Sequence, residues 1–231
     1  DHNDGVMDIF SSSNTDFHSW MFKRAKGFFD VVAYSSNNIA PYVLNHSLGV
    51  VPEMIWIKSR SISGGWFISH QFTGSGYEYV HFNTASGYNS PNYTAHYLRA
   101  QPTDTTFTVG NDSVVNWNGT YITYLFASVD GVSKVGSYTG NGSNQNIACG
   151  FSAGARFVLI KRTDSSGDWY IWDTTRGIVT GNDPHLSLNT TSAEVTSDDS
   201  IDPQSAGFTV NQVSATNINV TSATYIFMAI A

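Results

Sequence analysis

One segment recurs three times along this chain, and the recurrence narrows the folds open to it. Phe17-His18-Ser19-Trp20-Met21-Phe22 is followed 104 residues later by Tyr121-Ile122-Thr123-Tyr124-Leu125-Phe126. The same interval again leads to Tyr225-Ile226-Phe227-Met228-Ala229-Ile230-Ala231. Gly27, Val31 and Tyr34 repeat as Gly131, Val135 and Tyr138. Ile55-Trp56-Ile57-Lys58 is echoed by Val158-Leu159-Ile160-Lys161, Trp66-Phe67-Ile68 by Trp169-Tyr170-Ile171, and Phe107-Thr108-Val109 by Phe208-Thr209-Val210. The interval shortens slightly along the way, as small loop deletions would make it. Periodic self-similarity of this kind marks a duplicated unit. It divides the chain into a first repeat, 17–127, and a second, 128–231, with 1–16 as a connection from a preceding segment.

The repeated segments are four to eight residues long and rich in Val, Ile, Tyr, Phe, Trp and Thr, which predicts strands. Turn clusters separate them, among them Ser35-Ser36-Asn37-Asn38, Ser63-Gly64-Gly65 and Thr139-Gly140-Asn141-Gly142. No window holds a sustained helical period with caps. Phe157-Val158-Leu159-Ile160 and Tyr225-Ile226-Phe227-Met228 are apolar on both faces, as in strands covered by a second sheet. The expected fold is all-β: two tandem, duplicated, jelly-roll-like β-sandwich modules. Joined through a short linker at Val129-Asp130-Gly131, they predict a rod-like layout. The first residue is Asp1, which reads as a fragment or processed portion of something longer.

Several function classes fall away at this stage. Lys and Arg total 11 against 18 Asp and Glu, a formal charge of −7, so nucleic acid is not an expected partner. No apolar stretch approaches the ~18–20 residues that span a bilayer, so membrane insertion is not expected either. A single cysteine, Cys149, excludes an intrachain disulfide framework. The chain lacks G-x-S-x-G, H-E-x-x-H, a P-loop and a dinucleotide fingerprint. A Ser-His-Asp arrangement assembled in space stays open. The acidic residues of the second repeat (Asp164, Asp168, Asp173, Asp183, Asp198, Asp199, Asp202) lie in turn-like stretches and read as loop chemistry. His46, His70, His81, His96 and His185 lack metal-ligand spacing, and Asp1-His2-Asn3-Asp4-Gly5 lacks the later ligands of a calcium loop. No cofactor and no metal are expected. The sequons at Asn45, Asn92, Asn118, Asn141 and Asn189 read as a product of Asn-, Ser- and Thr-rich composition.

Between Trp66 and Arg99 lie Tyr77, Tyr79, Tyr88, Tyr93 and Tyr97, interleaved with His81, His96, Gly, Asn and Ser. The corresponding stretch of the second repeat has no Tyr or Phe after Trp172. Tyr among Asn and Ser makes adaptable recognition surfaces at low entropic cost. Tyr77, Tyr88, Tyr93, His96, Tyr97 and Arg99 are therefore the candidate ligand contacts, with packing between sheets or subunits as the competing role.

Phe22-Lys23-Arg24-Ala25-Lys26-Gly27-Phe28-Phe29-Asp30-Val31 and His46-Ser47-Leu48-Gly49-Val50-Val51-Pro52-Glu53-Met54-Ile55 resemble segments recurrent in tail-fibre-like structural proteins of tailed bacteriophages, of the marine cyanophage type. Val132–Gly142 and Ala155–Arg162 share that resemblance. It implies a virion location, an appendage role and homo-oligomerisation, often as trimers, among other virion proteins. The expected function is host attachment through multivalent binding of a surface glycan or protein. Two alternatives stand beside it: a non-binding spacer or capsid or tail decoration module, and a polysaccharide depolymerase, which would need two convergent carboxylates.

Overall fold

The computed structural model describes residues 20–70, 78–87 and 97–231. Among these the regular structure is strand only. The first half carries β1 (Phe29–Ser35), β2 (Tyr42–Asn45), β3 (Met54–Ser59), β4 (Trp66–His70), β5 (Glu78–His81), β6 (Thr106–Val109) and β7 (Thr120–Phe126). The second carries β8 (Ser133–Thr139), β9 (Gln145–Ala148), β10 (Phe157–Arg162), β11 (Trp169–Asp173), β12 (Leu186–Ser187), β13 (Ile201–Gln204), β14 (Gly207–Val210) and β15 (Thr224–Ile230). The expected all-β sandwich is the observed fold class.

The halves repeat each other closely, β13 alone having no counterpart among the described residues. One large sheet runs β1-β7-β3-β4-β5 and the other β8-β15-β10-β11-β12; a small sheet pairs β2 with β6 in one half and β9 with β14 and β13 in the other. Registers repeat as well. Phe29 lies opposite Phe126 as Ser133 lies opposite Ile230, and Met54 opposite His70 as Phe157 opposite Asp173. So do the internal fastenings. Tyr34 stacks on Tyr121 at 5.2 Å and 14°, and Tyr138 on Tyr225 at 4.8 Å and 14°. The Tyr121 hydroxyl accepts the Trp117 N–H at 2.8 Å, and the Tyr225 hydroxyl accepts that of Val220 at 3.0 Å.

Each large sheet is apolar on both faces, and side-chain alternation sends neighbours to different cores. Ile55, Ile57, Tyr121 and Leu125 pack with Leu44, Phe107 and Val109 of the small sheet. Val158, Ile160, Tyr225 and Phe227 do the same with Ile147, Phe208 and Val210. The alternate residues (Met54, Ile68 and Phe126 from one half, Leu159, Trp169, Ile171 and Met228 from the other) form a third core between the two large sheets. The order of layers is small, large, large, small.

This differs from the expected rod. The turn after β7 reverses the chain through the Val129–Ser133 bridge, and the Ser128 hydroxyl fastens it to Glu53. The halves therefore stack back to back. End-to-end placement would leave one apolar face of each large sheet in water, at roughly 25 cal/mol for every Å² exposed.

The stacking is not symmetric. After β5 the chain crosses to the second half: Phe82 lies 4.5 Å from the Trp169 ring and the His81 carbonyl accepts the Trp169 indole N–H at 2.9 Å. Lys161, fully buried, donates to the Ala85 carbonyl at 3.0 Å and to that of Gly167 at 2.6 Å. A Cβ on Gly87 would stand 2.6 Å from the Thr163 carbonyl oxygen, so the backbones meet where no side chain fits. The equivalent stretch after β12 does not cross back. Leu188 and Asn189 bond to Trp169 and Asp168 of their own half.

Candidate functional site

The missing return crossing leaves part of the first large sheet open. Trp56 of β3, Trp66 of β4 and Tyr124 of β7 sit on its inner face, only partly covered. Trp56 lies directly opposite Tyr124 in the ladder, so the rings form one surface. Trp66 and Tyr124 are nearly parallel at 6.1 Å, and Phe82 meets Trp56 edge-on at 4.8 Å. Trp20 and Phe22, from the strap before β1, close one side, and Asn83 supplies a polar rim. The resulting groove encloses about 430 Å³.

The strap is held from the second half. The Trp20 indole donates to Asp173 at 3.0 Å, and the Arg176 guanidinium lies 5.4 Å over its ring. Beyond the strap lies a second depression of about 420 Å³, bordered by Lys23, Arg156, Asp173 and Thr175. Burial raises the Tyr124 hydroxyl above its ordinary range, so it stays a neutral donor at physiological pH. The Trp56 indole N–H is buried without a hydrogen-bond partner. Among the described residues the groove lining contains no carboxylate, histidine or cysteine; its ring faces suit adhesion and its Asn83 amide suits hydrogen bonding.

Of the candidate contacts read from sequence, Tyr77, Tyr88, Tyr93 and His96 lie outside the described residues. Tyr97 packs against the first-half core: its ring stacks on Phe67 at 4.9 Å and lies tilted 4.4 Å from Tyr79. Burial, with Asp112 and Tyr79 nearby, drives its hydroxyl pKa upward. Arg99 is half-buried beside β6, its N–H bonded to the Thr108 carbonyl at 2.9 Å. Neither lines the groove. Sequence reading missed Trp56, Trp66 and Tyr124 because they sit in strands with an obvious packing role. A signal was present in the repeat: Trp56 and Tyr124 of one half stand where the other has Leu159 and Met228.

The remaining polar candidates have structural partners. His46 accepts the Leu48 N–H through Nδ1 at 3.2 Å, leaving Nε2–H to donate to the Thr103 carbonyl at 3.1 Å. His70 is fully buried, and that burial pushes its pKa down to about 3. Asp183 accepts the Val179 and Ile201 N–H groups at 3.0 and 3.2 Å; burial, with Asp199 and Asp202 nearby, raises its pKa to about 7. His185 and Ser200 both approach the same Asp198 oxygen, at 3.5 and 2.7 Å, so the serine hydroxyl is bonded to the carboxylate and not to the imidazole. That arrangement lacks the base–nucleophile contact of a triad. Cys149 is buried, which raises its thiol pKa to about 12 and leaves it unreactive. Among the described residues no three His, Cys, Asp or Glu are grouped to hold a metal, and no helix is long and apolar enough to cross a membrane.

A family model matches residues 10–231 and carries the description domain of unknown function, DUF7483. The chain belongs to the DUF7483 family. No curated protein and no solved structure matches it. The DUF7483 match spans both halves, the crossover and the strap from Trp20, so every described residue lining the groove lies within the family domain.

Proposed function

We propose that this DUF7483 domain is a non-catalytic binding module of a virion appendage that helps attach the particle to its host by holding envelope glycan in the aromatic groove. The groove carries this reading. Trp56, Trp66 and Tyr124 offer ring faces to sugar C–H groups, and Asn83 and the Tyr124 hydroxyl offer polar contacts at its edge. The resemblance of Phe22–Val31 and His46–Ile55 to tail-fibre-like proteins supplies the setting: a virion surface, other virion proteins as neighbours, and homo-oligomers, trimers above all. Several weak sites on one particle then act together.

Binding to envelope polysaccharide purified from the host bacterium tests it, using Trp66→Leu and Trp66→Phe. Both keep an apolar side chain, and only the second keeps a ring. Trp66→Leu is expected to weaken binding at least tenfold with the thermal midpoint held near that of Trp66→Phe. Equal binding by both variants would overturn the groove assignment. Release of oligosaccharide during the incubation would favour the depolymerase reading instead.

A further inference from the structure

The duplication provides an internal control, because one backbone frame occurs twice in one molecule with different side chains. At one end of the first half, the loops before β2 and before β7 are clamped by Asn116. Its amide donates to Asn37 Oδ1 and to the carbonyls of Ile39 and Gly110 at 2.9–3.1 Å. In the second half Asn219 donates to Asn141 Oδ1 and to the carbonyls of Ser143 and Val210. Ile39 and Ser143 thus serve the same main-chain duty, and so do Trp117 and Val220, whose N–H groups both bond the tyrosine hydroxyl. The frame does not require the larger side chains. Yet Ile39 is 66% exposed and Trp117 48% exposed, whereas Val220 packs against its own core.

The two loops that carry these exposed residues are tied together by their neighbours. The Asn38 amide donates to Asn118 Oδ1 at 2.9 Å, and the Asn118 N–H donates to Asn38 Oδ1 at 2.7 Å. Both asparagines adopt positive φ, at 56° and 41°, which turns the chain sharply at the tip. The stretches 35–47 and 113–129 contain no charged residue. An exposed indole and an aliphatic side chain, set among asparagine amides and flanked by one charge of each sign at Asp112 and Arg60, match a ligand with apolar C–H faces, many hydroxyls and no net charge.

We infer that the Ile39–Trp117 tip is a second ligand site, separate from the groove, and that it binds an uncharged saccharide by stacking on the Trp117 indole with the loop asparagines meeting its hydroxyls. The twin half specifies substitutions the frame already accepts: Ile39→Ser and Trp117→Val.

The test uses the full chain labelled with 5-fluorotryptophan, which gives one fluorine resonance for each of its 6 tryptophans. Trp117→Val assigns the Trp117 signal, and Trp66→Phe assigns that of Trp66. The probes are maltohexaose, cellohexaose and mannohexaose, with polygalacturonate as a charged comparison. At least one neutral oligosaccharide should shift the Trp117 signal saturably, and the Ile39→Ser/Trp117→Val variant should bind it at least tenfold more weakly with an unchanged melting temperature. A Trp117 signal unmoved by all three neutral probes overturns the inference. So does a signal that moves with protein concentration alone, which would make the tip a self-association surface, or one that responds only to polygalacturonate. The Trp66 signal reports on the groove independently, so either site can fail while the other stands.

Discussion

If the two large sheets share one core, the halves must unfold together, and the paired tyrosines allow this to be measured. Tyr121→Phe removes a hydroxyl that accepts the Trp117 N–H at 2.8 Å and donates to the Ser113 and Trp117 carbonyls at 2.9 Å. Tyr225→Phe removes one that accepts the Val220 N–H at 3.0 Å and donates to the Asn217 carbonyl at 2.7 Å. The ring stays, so no large cavity opens. The loss is one net hydrogen bond plus the penalty of a main-chain donor left unpaired, about 2 kcal/mol for either variant. For a chain of this length that lowers the melting temperature by about 4–8 °C. The sites belong to different halves, so the double variant should lose about 4 kcal/mol by addition. Calorimetry and urea unfolding followed by fluorescence should show a single transition in all four proteins, shifted as a whole each time. Two transitions, with Tyr121→Phe moving one and Tyr225→Phe the other, would refute the shared core and restore independent modules.

Two further perturbations probe the asymmetric elements. Gly87→Ala drives a Cβ to 2.6 Å from the Thr163 carbonyl and 2.9 Å from that of Ser165. The crossover should lift from Trp169 and Lys161, giving a red shift of tryptophan emission while far-UV circular dichroism is retained; unchanged emission would contradict the contact. Asp183 has a pKa raised from 3.8 to about 7, so its protonated form is favoured by folding. Its contribution is full below pH 4 and is lost as pH rises through 7, at most on the order of 4 kcal/mol. His70, lowered from 6.5 to about 3, acts in the opposite direction over the same window and masks that slope in the parent protein. The destabilisation caused by Asp183→Asn should therefore shrink as pH rises from 4 to 7.5, and a penalty constant across that range would show that the carboxyl does not titrate as described.

The strands at Ile55–Lys58, Trp66–Ile68 and Phe157–Arg162 were legible in the sequence because their β-branched and aromatic runs are bounded by turn residues. The duplication was legible because core positions repeat at a nearly constant interval. Strands apolar on both faces announced a covering layer, but nothing local in Leu159 or Met228 says whose sheet covers them. That choice is made by the turn at Val129–Ser133. The crossover was hidden for a different reason: Ala85 and Gly87 act through a carbonyl and a missing Cβ, and composition records neither. For Tyr97 composition allowed both a ligand contact and packing, and only the folded chain places it beside Phe67 and Tyr79. The groove aromatics emerge only on comparing Trp56 with Leu159 and Tyr124 with Met228.

The inner face shared by the two large sheets also bears on ancestry. A single half-length copy would present that face to water and would be expected to cover it by pairing face to face with a second copy. Joining two copies through the turn at Val129–Ser133 made the encounter intramolecular and removed the demand for self-complementarity. Once each face had a permanent companion, one arm could reach across and stay while its sister withdrew, and an opening that no symmetric pair could keep for itself became heritable.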